Sequence, residues 1–89
     1  MAWQVEWSKA ADKDFARLGH AEKLRIVEFM QNRIAKLENP RSVGQALTGG
    51  KLEYLWRYRL GDYRILVSIQ DSKVTILVVA LGHRSQIYR

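Results

Sequence analysis

Trp3, Val5 and Trp7 alternate with Gln4 and Glu6, a period of two that predicts a strand over Ala2–Trp7. Ser8 offers an N-cap oxygen, and Lys9–Leu18 then carries Ala11, Phe15 and Leu18 on one helical stripe. Gly19 suits a left-handed C-cap. A second helix is expected from about Ala21 to Leu37, where Leu24, Val27, Met30, Ile34 and Leu37 step by three and four, broadened by Ile26 and Phe29. Asn39-Pro40 stops it, because proline disfavours helix in the residue before it. So short a connection predicts an antiparallel helical hairpin.

Arg41–Lys51, punctuated by Gly44, Gly49 and Gly50, reads as a loop. From Leu52 the period becomes two: Leu52, Tyr54, Trp56 and Tyr58 on one face, Glu53, Leu55, Arg57 and Arg59 on the other. Gly61-Asp62 turns the chain into a strand over Tyr63–Gln70, and Asp71-Ser72 turns it again. Val74–Leu81 is apolar on both faces, as a central strand must be. His83–Arg89 is a short basic tail. The predicted fold is α+β, one domain over residues 1–89: an N-terminal strand, a two-helix hairpin and a three-stranded antiparallel meander, in one sheet covered by the helices. Tyr54, Trp56 and Ile65 should face the helices, leaving Arg57 and Arg64 on the other face, near His83, Arg84 and Tyr88.

Charge sharpens that picture. Fifteen Lys and Arg oppose nine Asp and Glu, a net +6. Residues 1–49 hold eight basic and six acidic side chains, residues 50–89 seven and three, so the excess gathers C-terminally. Lys51, Arg57, Arg59, Arg64, Arg84 and Arg89 make up most of it, and the arginine fork matches phosphate oxygens, so a polyanion such as RNA is the expected partner. Lys51, Arg59 and Arg89 are read as RNA-binding residues. With no cysteine, disulfides and thiolate chemistry are excluded. No apolar run spans a bilayer and the first residues lack the order of a signal peptide, so a cytoplasmic protein with no membrane partner is expected. Phosphate-binding glycine motifs are missing, and the two histidines, His20 and His83, have no carboxylate cluster behind them, so neither cofactor nor metal is expected.

What remains is Arg57, Arg64, His83, Arg84 and Tyr88. RNA can be cut without metal when its own 2′-hydroxyl attacks the adjacent phosphate. That reaction needs a base for the hydroxyl, cations for the phosphorane and an acid for the leaving 5′ oxygen. Histidine can move protons near neutral pH, arginines can hold phosphate, and tyrosine can stack on a base or donate a proton.

At these residues the chain resembles the RelE/ParE superfamily of bacterial toxins. The likeness runs through FARLGHAEKLRIVEFMQNRIAKLENP, the block GGKLEYLWRYRLGDYRILV and the closing LGHRSQIYR. It implies the same fold, cleavage of mRNA in the ribosomal A site and inhibition by a cognate antitoxin. By position, Arg64 matches the arginine on the scissile phosphate and Arg57 a site where relatives often carry lysine, as base or phosphate support. Arg84 matches the closing-segment arginine, and Tyr88 the tyrosine that stacks and orients. Leu55 replaces a further family lysine, for which His83 is the candidate substitute. The ParE branch, whose members are similar to gyrase poisons, is the alternative. A non-catalytic module that binds RNA or antitoxin is a third reading.

Overall fold

The computed structural model describes residues 2–52 and 54–87, with Lys51 described through its backbone alone. Strand β1 (Gln4–Trp7) leads into helix α1 (Lys9–Ala16), which Ser8 caps: its Oγ accepts a 3.0 Å hydrogen bond from the Ala11 amide. Gly19 does not close α1 in a left-handed turn. At φ −69°, ψ 166° it is the extended N-cap of helix α2 (His20–Glu28), because Arg17 and Leu18 already end α1 through bonds back to Asp14 and Phe15. From Phe29 to Ile34 the helix widens into π turns, sealed by the Ala35 amide on the Met30 carbonyl.

The buried stripe differs from the expected one. The core takes Ile26, Met30 and Ile34, whereas Leu24 and Val27, expected to be part of the apolar face, are 57% and 39% exposed. The inward stripe runs 26, 30 and 34 in four-residue steps, through the regular turns of α2 and on into the π turns.

Strands β2 (Gln45–Ala46), β3 (Trp56–Leu60), β4 (Tyr63–Gln70) and β5 (Thr75–His83) complete a five-stranded sheet ordered β1-β5-β4-β3-β2. The meander β3-β4-β5 is antiparallel, and β1 joins β5 in parallel, pairing Val5 with Ile76. Thus β5, apolar on both faces, lies inside the sheet as its pattern required. Strand β2 lies within the segment expected to be a loop. Strand β3 starts at Trp56 rather than Leu52: Gly50–Leu52 forms a 3-10 turn, and Tyr54, at φ 73°, is 88% exposed instead of facing the helices. A left-handed residue in mid-pattern breaks the alternation.

Ala11, Ile26, Met30, Ile34, Tyr58, Ile65, Val67, Ile76, Val78 and Leu81 form the core between helices and sheet. Two polar ties hold the connecting loop against it. The buried Tyr58 hydroxyl donates to the Pro40 carbonyl at 2.6 Å, and burial pushes that hydroxyl's ionisation well above the usual tyrosine range. The Trp56 indole donates to the Val43 carbonyl at 2.7 Å. Outside, the Arg41 guanidinium grips both Asp71 oxygens at 2.9 Å and thereby holds that carboxyl below its ordinary range. Among the described residues no helix is long and apolar enough to cross a membrane.

Candidate functional site

Trp56, Tyr58, Ile65 and Val67 turn toward the helices, so strand alternation sends Arg57 and Arg59 of β3 and Arg64 of β4 to the opposite face. Arg59 stands directly across from Arg64, with Arg57 on the diagonal across from Leu66. Neighbouring strands lie about 4.8 Å apart, and like charges directly opposed are destabilising. On the far side of Arg64 the β5 residue is Gly82, which has no side chain of its own, and the Ile87 Cδ1 comes within 3.9 Å of where a Gly82 Cβ would stand. The Arg84 amide donates to the Asp62 carbonyl at 2.7 Å, extending the ladder by one step and giving Arg84 the same facing as Gly82 and Arg64.

Hydrogen bonds hold these guanidiniums in place. Arg64 Nη1 donates to the Gly61 and Tyr63 carbonyls, both at 2.9 Å, which draws the group back over the β3–β4 turn. Arg84 Nε lies 4.0 Å from Asp62 Oδ1 at an exposed position. Arg57 donates to the Gln45 side-chain oxygen across the β2–β3 pair. The Arg57, Arg64 and Arg84 expected from the sequence therefore share one face of the sheet, and Arg59 joins them; Arg57 and Arg64 are half-buried there, Arg59 and Arg84 exposed.

His83 does not share that face. It pairs with Tyr63, and their rings meet edge-to-face at 6.0 Å on the helix side. Its Nδ1 contacts Ser85 Oγ at 2.9 Å and accepts from the Ser85 amide at 3.3 Å, while its carbonyl accepts from the Gln86 and Ile87 amides. His83 thus organises the closing turn that leads into the tail. The Lys51 side chain, Tyr88 and Arg89 lie outside the described residues.

Two clefts flank this sheet. One, of about 420 Å³, opens between the π turns and the β3 edge; Phe29, Arg33, Gln45, Arg57, Arg59 and Gly61 are among its lining residues. The other, of about 460 Å³, lies between α1 and the end of β5, with Asp14, Arg17, Tyr63, His83 and Gln86 on its wall. Sequence reading selected neither Phe29 nor Arg33. Their four-residue spacing on one helix was a usable signal, but Gln45 gave none because it falls in an apparent loop. Among the described residues no group of three His, Asp or Glu side chains is placed to hold a metal ion.

A family model described as the ParE toxin of the type II toxin–antitoxin system parDE matches residues 5–88. The chain belongs to this RelE/ParE toxin family. It is similar to a Mycobacterium tuberculosis protein named Toxin RelE, 31% identical over 87 residues that cover 98% of this chain and 87% of the relative. The Escherichia coli protein named mRNA interferase toxin RelE is 27% identical over 90 residues, covering 99% and 92%. In the crystal structure of the toxin–antitoxin complex RelBE2 from Mycobacterium tuberculosis, the matching chain superposes with a TM-score of 0.85 at 26% identity, covering 97% and 95%. The RelE/ParE membership expected from GDYRIL and GHRSQIYR, and the helices-on-sheet fold expected with it, therefore hold.

Proposed function

We propose that this toxin cuts mRNA in the ribosomal A site without metal, on the arginine face, and that a cognate antitoxin restrains it. The observation that carries the reading is the register: Arg57, Arg59, Arg64 and Arg84 gather on one face of the sheet, Arg57 and Arg64 half-buried and Arg59 and Arg84 exposed, with Arg59 and Arg64 in direct cross-strand opposition. Such repulsion costs stability unless an anion relieves it. RelE relatives named as mRNA interferases, and solved toxin–antitoxin complexes of the same fold, support the activity and the partner.

In this reading the RNA 2′-oxygen forms a bond to phosphorus as the bond from phosphorus to the 5′ oxygen breaks, leaving a 2′,3′-cyclic phosphate and a 5′-hydroxyl. Arg64 stabilises the extra negative charge of the phosphorane, with Arg57 and Arg84 sharing it. Tyr88 stacks on a base beside the cut. The 2′-hydroxyl proton must leave and the 5′ oxygen must gain one. His83 reaches that phosphate only by swinging round Gly82 from the helix side, so its role is to order the turn that carries Tyr88. Among the described residues the arginine face offers cations but no strong base, so the ribosome contributes by holding the codon in line.

Toeprinting on purified ribosomes tests this. Stops inside A-site codons are expected, with little cutting of naked mRNA. DNA breaks that require gyrase, with no A-site stops, would instead favour the activity of the ParE branch, whose name the matching family model bears.

A further inference from the structure

Arg33 lies on the opposite side of the β3 edge from Arg64, on the π turns. Its guanidinium carbon lies 6.0 Å from the centre of the Phe29 ring, which in turn meets Tyr58 edge-on at 6.0 Å. An exposed guanidinium held over an aromatic face is preorganised at the cleft mouth. Arg57 and Arg59 line the same cleft, no acidic residue lines it among the described residues, and neither Arg33 nor Arg59 forms an ion pair there. Arg25 adds charge nearby: a Cβ at Gly61 would lie 3.2 Å from its guanidinium. The wall opposite depends on Gly44, at φ +86°, where a Cβ would come within 2.5 Å of the Arg57 carbonyl. The cleft's 420 Å³ suits a nucleotide-sized ligand.

Arg57 and Arg59 line this cleft along the β3 edge, while strand alternation directs their side chains to the Arg64 face. An RNA strand with one phosphate on Arg64 presents further phosphates along its length, and the cations next in line are those of the cleft. We propose that the Phe29–Arg33–Arg59 cleft is a second anion site, which holds an RNA phosphate flanking the scissile one. The inference rests on the proposed RNA substrate and assigns Arg33, which is outside the reacting group, to strand positioning.

The test is fluorescence anisotropy of a labelled, uncleavable 2′-O-methyl RNA octamer titrated with the full chain across a range of NaCl. Arg33→Ala should weaken binding by about tenfold and lower the salt slope by about 0.7, the value of one single-strand phosphate contact. Arg33→Lys, which keeps the charge, should retain the slope. A lost contact moves the slope, whereas a merely structural role leaves it unchanged. An unchanged affinity and slope in Arg33→Ala overturns the proposal, as does a wild-type protein that does not bind the octamer. So does a loss confined to a poly-glutamate probe, which would make the cleft a dock for an acidic protein segment. A-site toeprinting of the wild-type protein separates the cases: cleavage with an unchanged Arg33→Ala slope removes this inference and leaves the proposed function standing.

Discussion

The two clefts differ by only about 40 Å³, yet one is lined by cations and the other by mixed charge. Among the described residues, the cleft at the β3 edge is lined by Arg33, Arg57 and Arg59 and by no acid. The cleft beside β5 carries Asp14 as well as Arg17 and His83, and its polar groups are committed internally: Asp14 Oδ2 accepts from the Leu81 amide at 3.1 Å, and His83 holds Ser85. A group that already stabilises the fold has little left for a ligand. Volume therefore does not distinguish the two; the exposed charges of Arg33 and Arg59, which form no ion pair among the described residues, do.

The strongest way to sharpen that contrast is through the arginine face itself. Arg64→Ala should slow single-turnover A-site cleavage by about 2.7–4 kcal/mol, as for loss of a donor to a developing oxyanion, with a smaller change in binding. Arg17→Ala, in the opposite cleft, should leave cleavage unaffected. Equal rate losses in the two variants would erase the distinction.

Next in size is the tie beneath the first cleft. Tyr58→Phe leaves the Pro40 carbonyl unpaired in the interior and should cost about 1–3 kcal/mol in denaturant unfolding. Its pH dependence has a definite sign. Because burial raises the Tyr58 pKa in the folded chain, the stabilisation is complete below the ordinary tyrosine value of about 10 and is lost as pH rises through the raised one. The gap between wild type and Tyr58→Phe should close on the alkaline side.

Asp14→Ala should remove about 1 kcal/mol of stability by freeing the Leu81 amide, without changing the salt slope of RNA binding. A changed slope would mean that the β5 cleft also meets RNA. The smallest effects belong to Asp71 and His83. The Arg41 bond lowers the Asp71 pKa, so its contribution is present above the usual carboxylate value and disappears as pH falls through the lowered one. Asp71→Asn should accordingly lower the melting temperature slightly at neutral pH and not at all in strong acid. His83→Gln should leave the pH profile of cleavage unchanged. A pH dependence of cleavage that vanishes in that variant would return His83 to proton transfer and place it on the arginine face during the reaction.

Much of this was legible in the chain. Side-chain facing in a strand depends on a period of two, which is local, so the opposite facings of Tyr58 and Arg57 and the interior place of β5 could be read directly. The Ser8 cap was local too. What the sequence could not decide depended on distant partners. The direct opposition of Arg59 and Arg64 is a matter of register, and the separation of His83 from them follows from its pairing with Tyr63. The π turns that bring Phe29 and Arg33 to the cleft, and the exposure of Leu24 and Val27 on α2 ahead of them, depend on how the helix packs on the sheet rather than on its local period. Tyr54 left its expected face because the segment before β3 curls into a 3-10 turn, while the loop before it is tied to the core at Pro40 and Val43. Local pattern sets which way a side chain points along its own strand, but pairing and packing between distant segments decide which charges meet, because that choice minimises the buried cost of the whole chain rather than of any one segment.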